Sequence, residues 1–161
     1  RTPGHGLGNN GQDRVDPGEV RKRFWAGLLE TAGEMTSLHA NVSPRTGAYM
    51  TASVDRILFS YGICEHSGNV SVYIDFDKDT GQGNKRLFDA LLARRREIED
   101  AFGGPLEWNR FDEKRASSIR CIIDEGGWRD KDRWPELQRL MAERMARLEA
   151  AMRPVLAQAP Y

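Results

Sequence analysis

Asn84–Phe111, NKRLFDALLARRREIEDAFGGPLEWNRF, is the stretch that decides the fold. Leu87, Phe88, Leu91, Leu92, Ile98 and Phe102 fall on one side of a 3.6-residue period, which predicts one amphipathic helix. Asn84 is placed to cap its start, and Gly103-Gly104 to end it, because glycine enters the left-handed conformation at little cost. Pro105 blocks continuation, and Leu106-Glu107-Trp108 begins an alternating, strand-like segment. Leu106 and Trp108 then share a sheet face, over which the helix turns back. Trp108 is expected to be largely buried against that helix with its indole N–H bonded. Nothing in this run is a catalytic signature.

Towards the N-terminus the period changes to two. Ile57, Phe59, Tyr61 and Ile63 share a face of one strand, and Val70, Val72, Ile74 and Phe76 a face of the next. His66-Ser67-Gly68-Asn69 joins them as a hairpin, and Tyr49–Val54 supplies a preceding strand. Asp77–Gly83 is a polar turn into the central helix, and Leu38–Ala48 reads as a loop. Asp16-Pro17-Gly18-Glu19 opens a first helix with an apolar stripe of Phe24, Trp25, Leu28, Leu29 and Ala32. Residues 1–15 carry too little apolar matter to offset their ordering entropy and read as a flexible tail or linker.

Towards the C-terminus, Asp112-Glu113-Lys114 links to a strand holding Ile119, Cys121 and Ile123. Trp134, Leu137, Met141, Met145, Leu148 and Met152 then trace the buried stripe of a long third helix, which Pro154 is expected to bend or end. The reading is one α+β domain over residues 16–161: a mixed, mostly antiparallel sheet covered by three helices.

The 161 residues contain 24 Lys+Arg and 24 Asp+Glu, so no net field steers the chain to nucleic acid or a membrane. No run of about 18 apolar residues and no signal peptide is visible, and a cytoplasmic setting is expected. The first residue is Arg1 rather than Met, which suggests a piece of a longer protein. Cys64 and Cys121 read as two reduced core thiols.

Chemistry-bearing residues are few. His5, His39 and His66 have no partners at metal-ligand spacing, and no nucleophile elbow, P-loop or dinucleotide fingerprint is present. Asp75 and Asp77 with Lys78 form the acidic candidate, a pair of carboxylates to hold Mg²⁺ for phosphodiester cleavage, set against a solvated strand end. The basic candidate is a nucleic-acid face of Lys85, Arg86, Arg94, Arg95, Arg96, Lys114, Arg115 and Arg120, with Trp108 and Trp128 as stacking surfaces. Glu97, Glu99 and Asp100 interleave with these arginines and favour intrahelical pairs instead.

Phe24-Trp25 with Leu28-Leu29, the I-E-x-x-F-G-x-x-L-x-W spacing from Ile98 to Trp108, and Lys114-Arg115-Ala116 with Ile119 together resemble the bacterial and archaeal family called domain of unknown function 4268. The resemblance covers about Pro17 to Leu156. The family has no agreed activity, and its members resemble modules that follow nuclease-like domains in restriction or defence systems. The element order is also similar to restriction-endonuclease-like cores. Those nucleases place an acid two residues before their lysine, where this chain has Phe76 before Lys78. The expectation is therefore a non-catalytic recognition or assembly module of a DNA-acting system, needing no cofactor. The alternatives are a Mg²⁺-dependent nuclease and a homodimerisation domain. The implied partners are DNA, a second copy, or a nuclease-like domain in the same polypeptide, and no membrane.

Overall fold

A computed structural model of the chain describes residues 15–159. The tail assigned to residues 1–15 thus lies outside the described residues, except for Val15. Helix α1 spans Pro17–Ala32, and strands β1 Tyr49–Val54, β2 Ile57–Ile63 and β3 Gly68–Ile74 follow as a meander. Helices α2 Gln82–Leu92 and α3 Arg95–Phe102 lead to the short strand β4 Glu107–Asn109, then β5 Ser117–Ile123. After one 3₁₀ turn, Lys131–Arg133, α4 runs from Trp134 to Gln158. The sheet order is β1-β2-β3-β5-β4, and every ladder is antiparallel. The class is α+β, with antiparallel pairing carried to all five strands.

The alternation read from the sequence sets the layers. Met50, Tyr61, Val70 and Cys121 form one cross-strand row; Ala52, Phe59, Val72, Ile119 and Trp108 form the next. These rows face the helices, and with Phe24, Trp25 and Leu28 of α1 and Met141, Met145 and Leu148 of α4 they make a single core. Asp16 accepts from the amides of Gly18 and Glu19, as the entrance to α1 predicts. The Trp25 indole N–H donates to Gly47 O at 2.9 Å, tying α1 to the lead-in of β1.

Four details differ from the sequence reading. The central helix is two helices, broken at Ala93-Arg94, although both are good helix formers and the apolar stripe runs across the break. Tertiary packing decides it: α2 lies on β3 and β5, whereas α3 packs on α4. Asn84 does not cap α2, which starts after Gly81; it is fully buried inside the helix. Its amide accepts from Asp77 N at 2.9 Å and donates to Asp77 O and Arg115 O, each at 3.1 Å. Pro154 does not end α4, which stays helical through Gln158. Cys64 is an exposed thiol at the β2–β3 turn rather than a core residue, while Cys121 is half-buried.

The Gly103 stop holds. Gly103 sits at φ +95° and donates to Glu99 O at 2.8 Å. A second glycine acts by absence of bulk: Gly127 lies against the backbone of Cys64, Glu65 and His66, too close for any Cβ. The neighbouring amides of Trp128 and Arg129 donate to Cys64 O and Glu65 O, which locks the tip of the β2–β3 hairpin to the start of α4.

Candidate ligand-binding site on the open sheet face

The second face of the sheet carries the other half of each alternation. Cross-strand pairing lines up Thr51, Ser60, Ser71, Arg120 and Glu107 in one row. Tyr49, Gly62, Asn69 and Ile122 flank it on one side, and Ser53, Leu58, Tyr73, Ser118 and Asn109 on the other. Thr51, Ser60 and Ser71 of the middle row, with Tyr49, Leu58 and Tyr73 beside them, line a groove of about 510 Å³. Ser60, Ser71, Asn69 and Ser118 are sunk into its floor, whereas Tyr49 is 60 % and Tyr73 39 % exposed on its walls. Thr51 and Ser60 share a hydroxyl hydrogen bond of 2.9 Å.

The groove closes on a rigid corner. Arg120 Nε donates to Glu107 at 2.7 Å, and Asn109 Nδ2 donates to the same carboxylate at 2.8 Å. Asn109 first and then Arg120 hold the Glu107 carboxyl below the usual range. Phe111 also lines the groove, with its backbone at φ +55°, which is costly for an aromatic residue. Lys85 of α2 sustains that conformation. Its ammonium donates to Phe111 O at 2.9 Å, Ala116 O at 2.7 Å, Ser117 Oγ at 2.9 Å and, through a shorter contact, Arg110 O. Desolvation, then the nearby Arg110 charge, lowers the Lys85 pKa.

The residues singled out from sequence are distributed differently from the expectation. Lys85 donates to backbone carbonyls and acts as the hub of the β4–β5 loop. Arg94 is bidentate on Glu97 and also bonds Gln158 of α4; Arg95 pairs with Glu99. Arg96 is exposed beside them. Lys85, Arg86 and Lys114 meet around a second, shallower hollow together with Arg110, Asp89 and Asp112. Arg115 is bidentate on Asp75, and Arg120 lies in the groove. The eight cations thus do not make one face. Trp128 is buried and Trp108 half-buried, so neither is an open stacking surface.

Asp75 and Asp77 lie beyond the end of β3, at Ile74, not on a strand face. Asp75 accepts from Arg115 at 2.7 and 2.8 Å, Lys78 at 3.0 Å and Asn84 at 3.4 Å. These contacts, Arg115 first, hold its pKa at about 2. Asp77 accepts from the amides of Gly83, Thr80 and Asp79 and from the Thr80 hydroxyl, so it caps the loop entering α2. Backbone donation from Gly83 is the largest cause of its pKa of about 2. With both carboxylates committed to cations and amides, and no cluster of three or more His, Cys, Asp or Glu among the described residues, this pair does not fit a Mg²⁺ site. His66 pairs with Asp130 at 3.1 Å, while His39 is buried in the core. His5 lies outside the described residues.

The sequence profile of a family described as a domain of unknown function, DUF4268, matches residues 20–156, most of the chain. The chain belongs to the DUF4268 family. No curated protein and no solved structure matches it. The I-E-x-x-F-G-x-x-L-x-W spacing of this DUF4268 chain has a structural explanation. One oxygen of Glu99 accepts from Leu106 N at 2.9 Å, the Trp108 indole at 3.0 Å and Arg95 at 3.3 Å. The motif is a bracket that folds α3 back onto β4. Trp108 meets Phe88 edge-on at 6.0 Å between ring centroids. Its N–H is bonded as the sequence predicts, but it is half-buried because β4 is the last strand of the sheet.

The open groove escaped the sequence reading. Its signal was present: Thr51, Ser60, Ser71 and Arg120 alternate with the core residues along four strands. Their alignment into a row depends on strand register, which alternation alone does not give. No helix among the described residues is long and apolar enough to cross a membrane.

Proposed function

We propose that this protein is a non-catalytic recognition module of a DNA-acting system, and that it takes its ligand on the open face of the sheet. The observation that supports this reading is the groove itself. One sheet face is sealed beneath the helices, while the other keeps a concave site with aromatic walls, a hydroxyl floor and one guanidinium. A strained Phe111 held by Lys85 is a second support, since such strain persists where the surroundings over-determine it. The acidic cluster gives catalysis less support, because Asp75 and Asp77 serve the loop before α2.

The test is nuclear magnetic resonance mapping with a panel of aromatic and polar fragments, alongside incubation with DNA and RNA in Mg²⁺ or Mn²⁺. The expected result is shifts clustered at Ser60, Ser71, Ser118 and Arg120, with the nucleic acid left intact. Shifts centred on Asp75 and Asp77, or metal-dependent cleavage lost in Asp75→Asn, would sink this reading in favour of the nuclease.

Homodimerisation is the second reading, favoured by Tyr49, Tyr73 and Ile122, which are exposed on this same face. Sedimentation over a wide concentration range decides it: a dimer dispersed by Tyr49→Ser with Ile122→Ser would make the face an interface between copies.

A further inference from the structure

We infer that the groove binds a single unpaired nucleotide, either free or as part of a single strand; this rests on the groove being the ligand site. Three features of the lining select that chemistry. Tyr49, Tyr73 and Phe111 offer flat π faces, on which any base can stack. Between them lie neutral donors and acceptors, Ser60, Asn69, Ser71 and Ser118, of the kind that pair with the polar edge of an unpaired base. Arg120 supplies a guanidinium for one phosphate. Among the described residues Glu107 engages only its Nε, which leaves the donors of the terminal nitrogens for a ligand.

Size and charge narrow the class further. A volume of about 510 Å³ suits one or two bases and not a duplex about 20 Å wide. Arg120 is the one cation among the described residues that lines the groove, and Lys114 stands at its edge, with Nζ 4.6 Å from the centre of the Phe111 ring. Two such cations contact at most two phosphates. Binding of a single strand should therefore weaken only gently with salt, with a log–log slope no steeper than about −1.5. A cationic duplex-binding face would give a much steeper dependence.

Phe111 provides a variant that separates binding from folding. Glycine accepts φ +55° without strain, which offsets part of the lost ring contacts, so Phe111→Gly should stay folded while removing a stacking surface. Lys85 is a positioning residue, since it holds the loop that carries Phe111 and reaches no ligand itself.

The experiment titrates isotope-labelled protein with nucleoside monophosphates, with mixed-sequence tetranucleotides of DNA and RNA, and with a short duplex. Mononucleotides and single strands are expected to shift Ser60, Ser71, Ser118 and Arg120, and the duplex to leave them unmoved. Phe111→Gly and Tyr73→Ala should each weaken single-strand binding about fivefold or more, with the fold intact by the same spectra. Equal affinity for monophosphate and tetranucleotide assigns the site to free nucleotides; a large gain for the tetranucleotide assigns it to single strands. If nucleotides leave the groove untouched while aromatic fragments shift it, the nucleotide assignment falls and the groove reading stands. If neither reaches the groove, both fall.

Discussion

Glu99 and Asp75 show how little of a charged residue's role is visible in its neighbours along the chain. Glu99 stands among three arginines, yet its main partners are the Leu106 amide and the Trp108 indole. Trp108→Phe removes that indole donor and keeps the edge contact with Phe88, so it should cost about 1–3 kcal/mol. Trp108→Ala also removes the ring. It should cost about 3 kcal/mol, the low end of the usual range, because the site is half-open. Urea unfolding of the two variants tests this; a Trp108→Phe protein as stable as the parent would remove the Glu99 bracket from the account. Asp75 carries a pH signature. Its pKa falls from 3.8 to about 2 on folding, so the stability it contributes is complete above about pH 4 and is lost as pH falls towards 2. Asp75→Asn should flatten the acid limb of the stability profile over that window, and an unchanged limb would show that other carboxylates govern it. Lys85 illustrates why such roles are hard to read. Its partners Arg110, Phe111 and Ala116 lie 25, 26 and 31 residues away, so sequence shows a cation and hides the carbonyls that use it.

At the scale of elements, periodicity located each strand and helix because each buries one face. It failed where two packing demands meet, at the α2–α3 break, since α2 must follow the sheet and α3 must follow α4. The loop between α1 and β1 shows a further limit: its composition says loop, but its fixity comes from several tertiary anchors. Thr36 Oγ1 donates to Glu149 of α4 at 2.7 Å, His39 Nε2 bonds Phe59 O at 3.0 Å, and Gly47 O accepts from Trp25. His39 is 3 % exposed, and its Nδ1 has no protein partner. Burial, opposed in part by Phe59 O and the Glu149 charge, lowers its pKa below 6.5. The unfolded chain then binds the proton more tightly, so stability is full above about pH 6.5 and declines as pH falls below it. Protection factors of residues 36–48, which divide out the intrinsic slowing of hydrogen exchange in acid, should fall as pH drops from 7 to 5. His39→Asn should remove that pH dependence, whatever it does to overall stability; a dependence that survives the substitution would place the titrating group elsewhere.

The whole molecule is a two-layer structure whose helical layer is joined by α4. This helix packs on α1, α3, β2, β3 and β5, so one element touches two other helices and the middle of the sheet. The stripe that does so, Leu137, Met141, Met145, Leu148 and Met152, is fully buried, and it was legible because a 3.6-residue period needs no partner to be recognised. The open face was not legible as a site, because a serine looks the same on a solvated strand and on the floor of a groove. If α4 holds the layers together, a cavity at its centre must loosen everything at once. Met145 is fully buried in the single core cluster, so Met145→Ala should cost about 2–5 kcal/mol. In a domain of this size, each kcal/mol moves the melting temperature by about 2–4 °C. Trp25, Trp108, Trp128 and Trp134 are distributed over α1, β4, the hairpin lock and α4, so their fluorescence samples the whole domain. Tryptophan fluorescence and far-ultraviolet circular dichroism should therefore give one coincident, lowered transition in Met145→Ala. Separate transitions would mean that the β1 side and the β4–β5 side unfold as independent units, and that α4 does not couple them.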